Sequence, residues 1–170
     1  MKRRILSAAA IFALFVVTIM PAAVLAADTG TVTCTVMAQL VSVTVTDGNV
    51  TYGLVALNGE KDTTSTGVNE TQTAANDGTT AEDFNIKSSD ASGITPWTLA
   101  GTAGANQFVH SFSTNGGSTW TVLTGNYQSM AANIAASANK TFDLKIHMPT
   151  SVTDAGGHTI TVTVQAVIHV

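Results

Sequence analysis

The sequence predicts an all-β protein, an antiparallel β-sandwich of Ig-like or jelly-roll-like type with about eight short strands. Three observations carry that prediction. Threonine alternates with valine and isoleucine in several runs, and such β-branched residues suit a half-buried pleated surface. Glycine, asparagine and aspartate gather between the runs as turn signals. Helical periodicity is almost missing: only residues 128–138 fit it, and their alanines leave little apolar face beyond Met130 and Ile134. One helical turn or a loop is expected there. Barrel closure is the alternative to a sandwich.

The first segment stands apart. Lys2, Arg3 and Arg4 form a basic head, an uncharged apolar run covers 5–20, and Pro21 precedes small residues ending at Ala26. That is the three-part layout of a secretory leader. The expectation is a signal peptide over 1–26 and a single domain over 27–170, secreted to the cell surface or the medium. An uncleaved anchor is the alternative, since 5–27 is just long enough to cross a bilayer.

Residues 31–46 alternate, but the phase slips. Val32, Cys34, Val36, Ala38 and Leu40 share one parity, while Val41, Val43 and Val45 share the other. This predicts a long strand with a bulge or a change of sheet. Asp47-Gly48-Asn49 is a turn signal, and 50–57 reads as the returning strand. Residues 58–80 are polar and nearly free of large apolar side chains, which predicts a long surface loop with a short edge strand near 71–75. Alternation resumes at 81–87 through Phe84 and Ile86. Further short strands are expected at 97–100, 107–113, 119–124 and 140–148, the last with Phe142, Leu144, Ile146 and Met148 on one face. Gly116-Gly117, Gly125-Asn126 and Gly156-Gly157 separate them. The clearest strand closes the chain: Ile160, Val162, Val164, Ala166, Ile168 and Val170 face one way, and threonines, Gln165 and His169 the other.

Charge excludes some partners. Once the leader is removed, Lys61, Lys87, Lys140 and Lys145 are the only strongly basic residues, and all 11 Asp and Glu remain. An acidic chain without arginine repels phosphate backbones, so no nucleic-acid partner is expected. No basic amphipathic helix would hold it on a membrane. The single cysteine, Cys34, rules out an internal disulfide; it is expected to be a small buried hydrophobe, with an intermolecular bridge as the alternative. No lipobox precedes it, and no sorting motif or apolar tail supplies another anchor.

Catalytic and metal patterns are weak. His110, His147, His158 and His169 have no partner at metal-ligand spacing and are expected at the surface. Ser137 and Lys140 match the S-x-x-K spelling without its companion motifs. Glu82 and Asp83 are adjacent on a strand, so they point to opposite faces. Asn58, Glu60 and Asp62, and the turn at Asn76-Asp77-Gly78, offer oxygen ligands but not a calcium-loop pattern; solvated loop charge is favoured. No catalytic residue, metal or cofactor is assigned.

Trp97, Trp120, Tyr52 and Tyr127 could form a sugar-stacking platform, or they could fill core and edge positions. Core packing is favoured for Trp97, while Trp120, flanked by Thr119 and Thr121, is open to either reading. The layout also resembles the bacterial WxL-type and WxL-like secreted surface proteins. Tyr52-Gly53, Ser88-Ser89-Asp90 leading into Trp97-Thr98-Leu99, and a loop containing Pro149 carry the resemblance. A second W-x-L, which closes the domain in that family, is missing from 159–170. The resemblance implies secretion without a covalent anchor and non-covalent association with peptidoglycan. It marks Trp97 and Leu99 as signature positions of structural character.

The expectation is therefore a secreted, non-enzymatic structural or adhesive protein, binding cell wall or another surface polysaccharide. Trp97, Leu99, Trp120 and Tyr127 are the candidate binding or signature residues. Two alternatives stand beside it: a filament subunit assembled by β-strand exchange through 31–46, and a carbohydrate-binding module using Trp97, Trp120 or Tyr127.

Overall fold

The computed structural model describes residues 29–170. The leader expected over 1–26 lies outside them. Every strand among the described residues belongs to one compact unit, Met37–Val170, and residues 29–36 lie outside that unit. Ten strands form it: β1 (Val43–Thr46), β2 (Glu60–Asp62), β3 (Gln72–Asn76), β4 (Glu82–Ser88), β5 (Thr98–Leu99), β6 (Gln107–Ser113), β7 (Thr121–Val122), β8 (Gln128–Ile134), β9 (Asn139–His147) and β10 (Val162–Ile168). No helix occurs among the described residues. The fold is all-β and sandwich-like, as the sequence predicts.

A larger sheet runs β1-β3-β9-β6-β5, with β2 also on β9 and β7 also on β6; a smaller one runs β10-β4-β8. Pairing is antiparallel except between β5 and β6. Alternation decides what each strand buries. Phe84 and Ile86 from β4 meet Phe112 from β6 and Phe142 and Leu144 from β9, with Ala74, Leu123 and Met130 closing the cluster. A second cluster holds Ala91, Trp97, Phe108 and Ile146, and Tyr52 packs against both.

Four expectations need correction. Of the strand expected over 31–46, only Val43–Thr46 pairs, and Cys34 is exposed rather than buried. Alternation makes a segment able to pair but does not supply the neighbouring edge. The 47–49 turn forms, with Asp47 and Gly48 both left-handed (φ 73° and 63°). Yet 50–57 does not return as a strand, because β1 pairs with β3 instead, Val43 opposite Asn76. Residues 128–138 are not helical: β8 pairs with β4, placing Ala131 opposite Phe84, and Met130 is buried.

The fourth concerns 58–80, which is no long loop. β2 and β3 lie end to end along one side of β9, Asp62 opposite Lys145 and Gln72 opposite Phe142. Thr63, fully buried, fills the gap: its hydroxyl receives the Leu144 N–H at 2.8 Å and donates to Asp143 at 3.2 Å. Thr71 donates to the same carboxylate oxygen at 2.6 Å. The strand near 71–75 exists, but it sits between β1 and β9 rather than at an edge.

Candidate functional site

The outer face of the larger sheet carries a cleft. On β9, Leu144 and Ile146 point into the core, so Lys145 and His147 point out. Register sets Glu60 of β2 on one side of His147 and Val109 of β6 on the other. Lys145 Nζ lies 3.2 Å from the Glu60 carboxylate and 5.2 Å from the centre of the Trp120 ring. His147 faces the other Glu60 oxygen at 3.5 Å and Asn58 Oδ1 at 3.2 Å. Trp120, half-buried just before β7, forms the wall of this cleft of ≈ 280 Å³.

A second cleft, ≈ 470 Å³, shares Gly101 and Val122 with the first. Lys87, Ser89, Asp90, Leu99, Thr124 and Thr161 are among its lining residues, and Ser88 lies at its floor. Lys87 Nζ sits 4.6 Å from the centre of the Tyr127 ring, which is 40% exposed. The two clefts adjoin along this shared wall into one groove; Trp120 lines the first, and Tyr127 lines neither but stands against Lys87, which lines the second. Hydroxyls and both signs of charge line it.

The four sequence-predicted residues divide. Trp120 lines the groove, and Tyr127 stands beside it only through Lys87. Trp97 is buried and stacks on the His158 imidazole, ring centres 3.7 Å apart and planes 18° apart. His158 was expected at the surface, but its ring nitrogens lie 2.9 Å from the Gly156 carbonyl and 3.0 Å from that of Thr95. Nearby, the Gly156 and Thr95 N–H groups hold the Asp154 carboxyl below the usual carboxylate range. Trp97 exchanges two backbone hydrogen bonds with Ala91, and the Leu99 N–H donates to the Asp90 carboxylate at 2.7 Å. Trp97 and Leu99 therefore fasten the strap that carries Asp90, and Leu99 itself forms groove wall.

One group escaped sequence reasoning. His110, also expected at the surface, is buried on β6 between the Ser88 hydroxyl, 2.9 Å from Nδ1, and the Tyr52 phenol, 3.1 Å from Nε2. Burial pulls its pKa down to about 4. Burial, followed by the charges of Asp62 and Glu70, pushes the Tyr52 phenol up. Both side chains are neutral at pH 7. The sequence carries no signal for it; only the structure shows that every residue of β6 after Gln107 is buried.

A serine beside a neutral histidine invites a nucleophile reading, but the surroundings lack its other parts. Ser88 is only 2% exposed. Its own N–H donates to the Thr124 carbonyl and that of Ser89 to the Thr161 carbonyl, so neither can hold a developing oxyanion. The Ser88–His110–Tyr52 chain instead ties β4, β6 and the 50–57 segment together through satisfied polar contacts. Ser137 lies in a turn with φ 63° and Lys140 on β9 opposite Ala74, which is not the helix start an S-x-x-K nucleophile uses. Glu60 is engaged by Lys145 and His147, and Asp62 accepts from the Thr64 hydroxyl at 2.6 Å. Among the described residues no three His, Cys, Asp or Glu side chains converge as a metal site.

The fold and groove thus define an all-β, sandwich-like protein with a polar surface channel walled in part by Trp120. Comparison of the chain with protein families, curated proteins and solved structures finds no match.

Proposed function

We propose that this chain is a secreted, non-enzymatic structural or adhesive protein that holds a surface polysaccharide non-covalently, peptidoglycan being the first to test. One observation carries the reading: the groove that runs from Trp120 and Lys145 to Lys87, lined by hydroxyl, carboxylate and ammonium groups, with the half-exposed Tyr127 ring against Lys87. Sugars suit such a channel, because their C–H faces stack on aromatic rings while their hydroxyls exchange hydrogen bonds with short polar side chains. Buried Trp97 takes no part in contact; its place is structural. The basic-then-apolar segment over 1–26 supports the extracellular setting.

Pull-down on purified cell wall, with other polysaccharides in parallel, tests it. Retention that falls about tenfold in Trp120→Ala or Tyr127→Ala supports the groove, since about 1.4 kcal/mol corresponds to that factor. A chain left in solution by every polysaccharide, or variants retained like the parent, argues against it. A second reading, assembly by strand exchange, is favoured by the exposed residues 29–36.

A further inference from the structure

The smaller sheet has three strands against seven in the larger, and among the described residues β10 is an edge strand with no strand hydrogen-bonded to its outer side, although β1 of the larger sheet lies near it. Three features distinguish that edge. β10 pairs with β4 in unbroken register over seven residues, from Val162 opposite Ser88 to Ile168 opposite Glu82. The opposite edge, β8, is instead interrupted by register shifts around Phe84. Edge strands are commonly blunted by charge, proline or bulges; β10, with the sequence VTVQAVI, has none of these. Finally, Val162, Val164 and Ala166 pack against the core yet remain only partly buried, and Ile168 is 43% exposed. The core is incompletely covered along this line.

Residues 29–36 offer a strand of matching kind. They carry no charge and no proline, and Thr31, Thr33 and Thr35 alternate with Val32, Cys34 and Val36. Val32 is 87% and Val36 92% exposed, and Cys34 is exposed as well. None of these residues belongs to a strand. An uncharged alternating segment outside any strand is competent to add to a sheet edge.

We infer that residues 29–36 of one copy add to the β10 edge of a second copy. The valine–cysteine side then extends the Val162, Val164 and Ala166 row over the core. The threonine side continues the outward row of Thr163 and Gln165. Donor and acceptor are different surfaces, so the contact is heterologous and propagates from copy to copy, as a filament or a closed ring. It uses neither Trp120 nor Tyr127, and so stands or falls apart from polysaccharide binding.

The test uses the full chain, expressed with its own leader and recovered as the host processes it. Sedimentation velocity over a concentration series is expected to show multimers that grow with concentration. Thr33→Pro, which removes one backbone N–H from the donor segment outside the unit that carries the strands, is expected to leave monomer with polysaccharide binding unchanged. In a second arm, Val162→Cys, Val164→Cys and Ala166→Cys are made singly and oxidised. At least one is expected to give a disulfide-linked ladder through Cys34 that Cys34→Ser abolishes. A parent that stays monomeric throughout, multimers that persist in Thr33→Pro, or no ladder from any of the three cysteines overturns the inference.

Discussion

His110 Nδ1 lies 2.9 Å from the Ser88 hydroxyl, at the floor of the larger cleft, while the opposite ring nitrogen faces the Tyr52 phenol at 3.1 Å. A buried imidazole in this setting makes stability depend on pH. The unfolded chain takes up a proton on His110 near 6.5, the folded chain only near about 4. Between those values the unfolded state binds more protons, so the stability contributed above about 6.5 is lost as pH falls to about 4. At about 1.4 kcal/mol per pH unit the loss is about 3 kcal/mol. Urea denaturation from pH 8 to 4 measures it, with His110→Phe as control. The parent should lose more stability than the variant across this window; equal losses would trace the effect to carboxylates instead.

Removing the ring also leaves its two neighbours unpaired. His110→Ala is expected to cost about 2–4 kcal/mol, the sum of a cavity and two stranded hydroxyls. Denaturation midpoints at pH 7.5 check this, and a cost under about 0.5 kcal/mol would mean that the chain Ser88–His110–Tyr52 ties nothing together.

The two tryptophans should separate cleanly by assay. Trp97, packed in the second cluster and stacked on His158, should cost about 3–5 kcal/mol as Trp97→Ala. Trp120→Ala, at the half-buried groove wall, should cost under about 1 kcal/mol in thermal or urea unfolding. The reverse order of stabilities would place the wrong ring in the core.

Thr63 supports the junction of β2 and β3. Thr63→Val keeps the shape but leaves the buried Leu144 N–H without an acceptor and removes one donor from Asp143. A loss of about 1–3 kcal/mol is expected. Amide exchange at Leu144 reports on the same bond and should accelerate in the variant.

These residues explain what could and could not be read from the chain. β4, β6, β9 and β10 were legible because Phe84, Ile86, Phe112, Phe142, Leu144, Val162 and Val164 repeat with period two against a strong apolar contrast. β3 was legible as a short strand but not as an inner one, and β2 was not legible, because beside Ala74 the buried positions here are Thr63, Gln72 and Asn76, polar side chains held by hydrogen bonds. Asn76, for example, donates to the Thr80 and Ile134 carbonyls at 2.8 Å each. β8 was missed because alanine opposite phenylalanine packs well in a strand while scoring as helix. In 31–46 the alternation is real, but it carries no information about which residues find a partner, and only Val43–Thr46 pairs.

The groove was half legible. Trp120 and Tyr127 were candidates by residue type, yet nothing in their spacing says that Lys145 and Lys87 lie over their rings. Those pairings come from register, Phe112 opposite Thr121 with Ser111 opposite Lys145, and Ile86 opposite Gln128, which is a tertiary fact. The roles of His110 and His158 were hidden for the same reason.

The most direct test of the polysaccharide reading is retention on purified cell wall of the parent beside the Trp120→Ala/Tyr127→Ala double variant, both shown to unfold at the same urea midpoint. The account predicts that the parent sediments with the wall and the double variant stays largely in solution. Equal retention of the two, or a parent that never leaves solution, would contradict it.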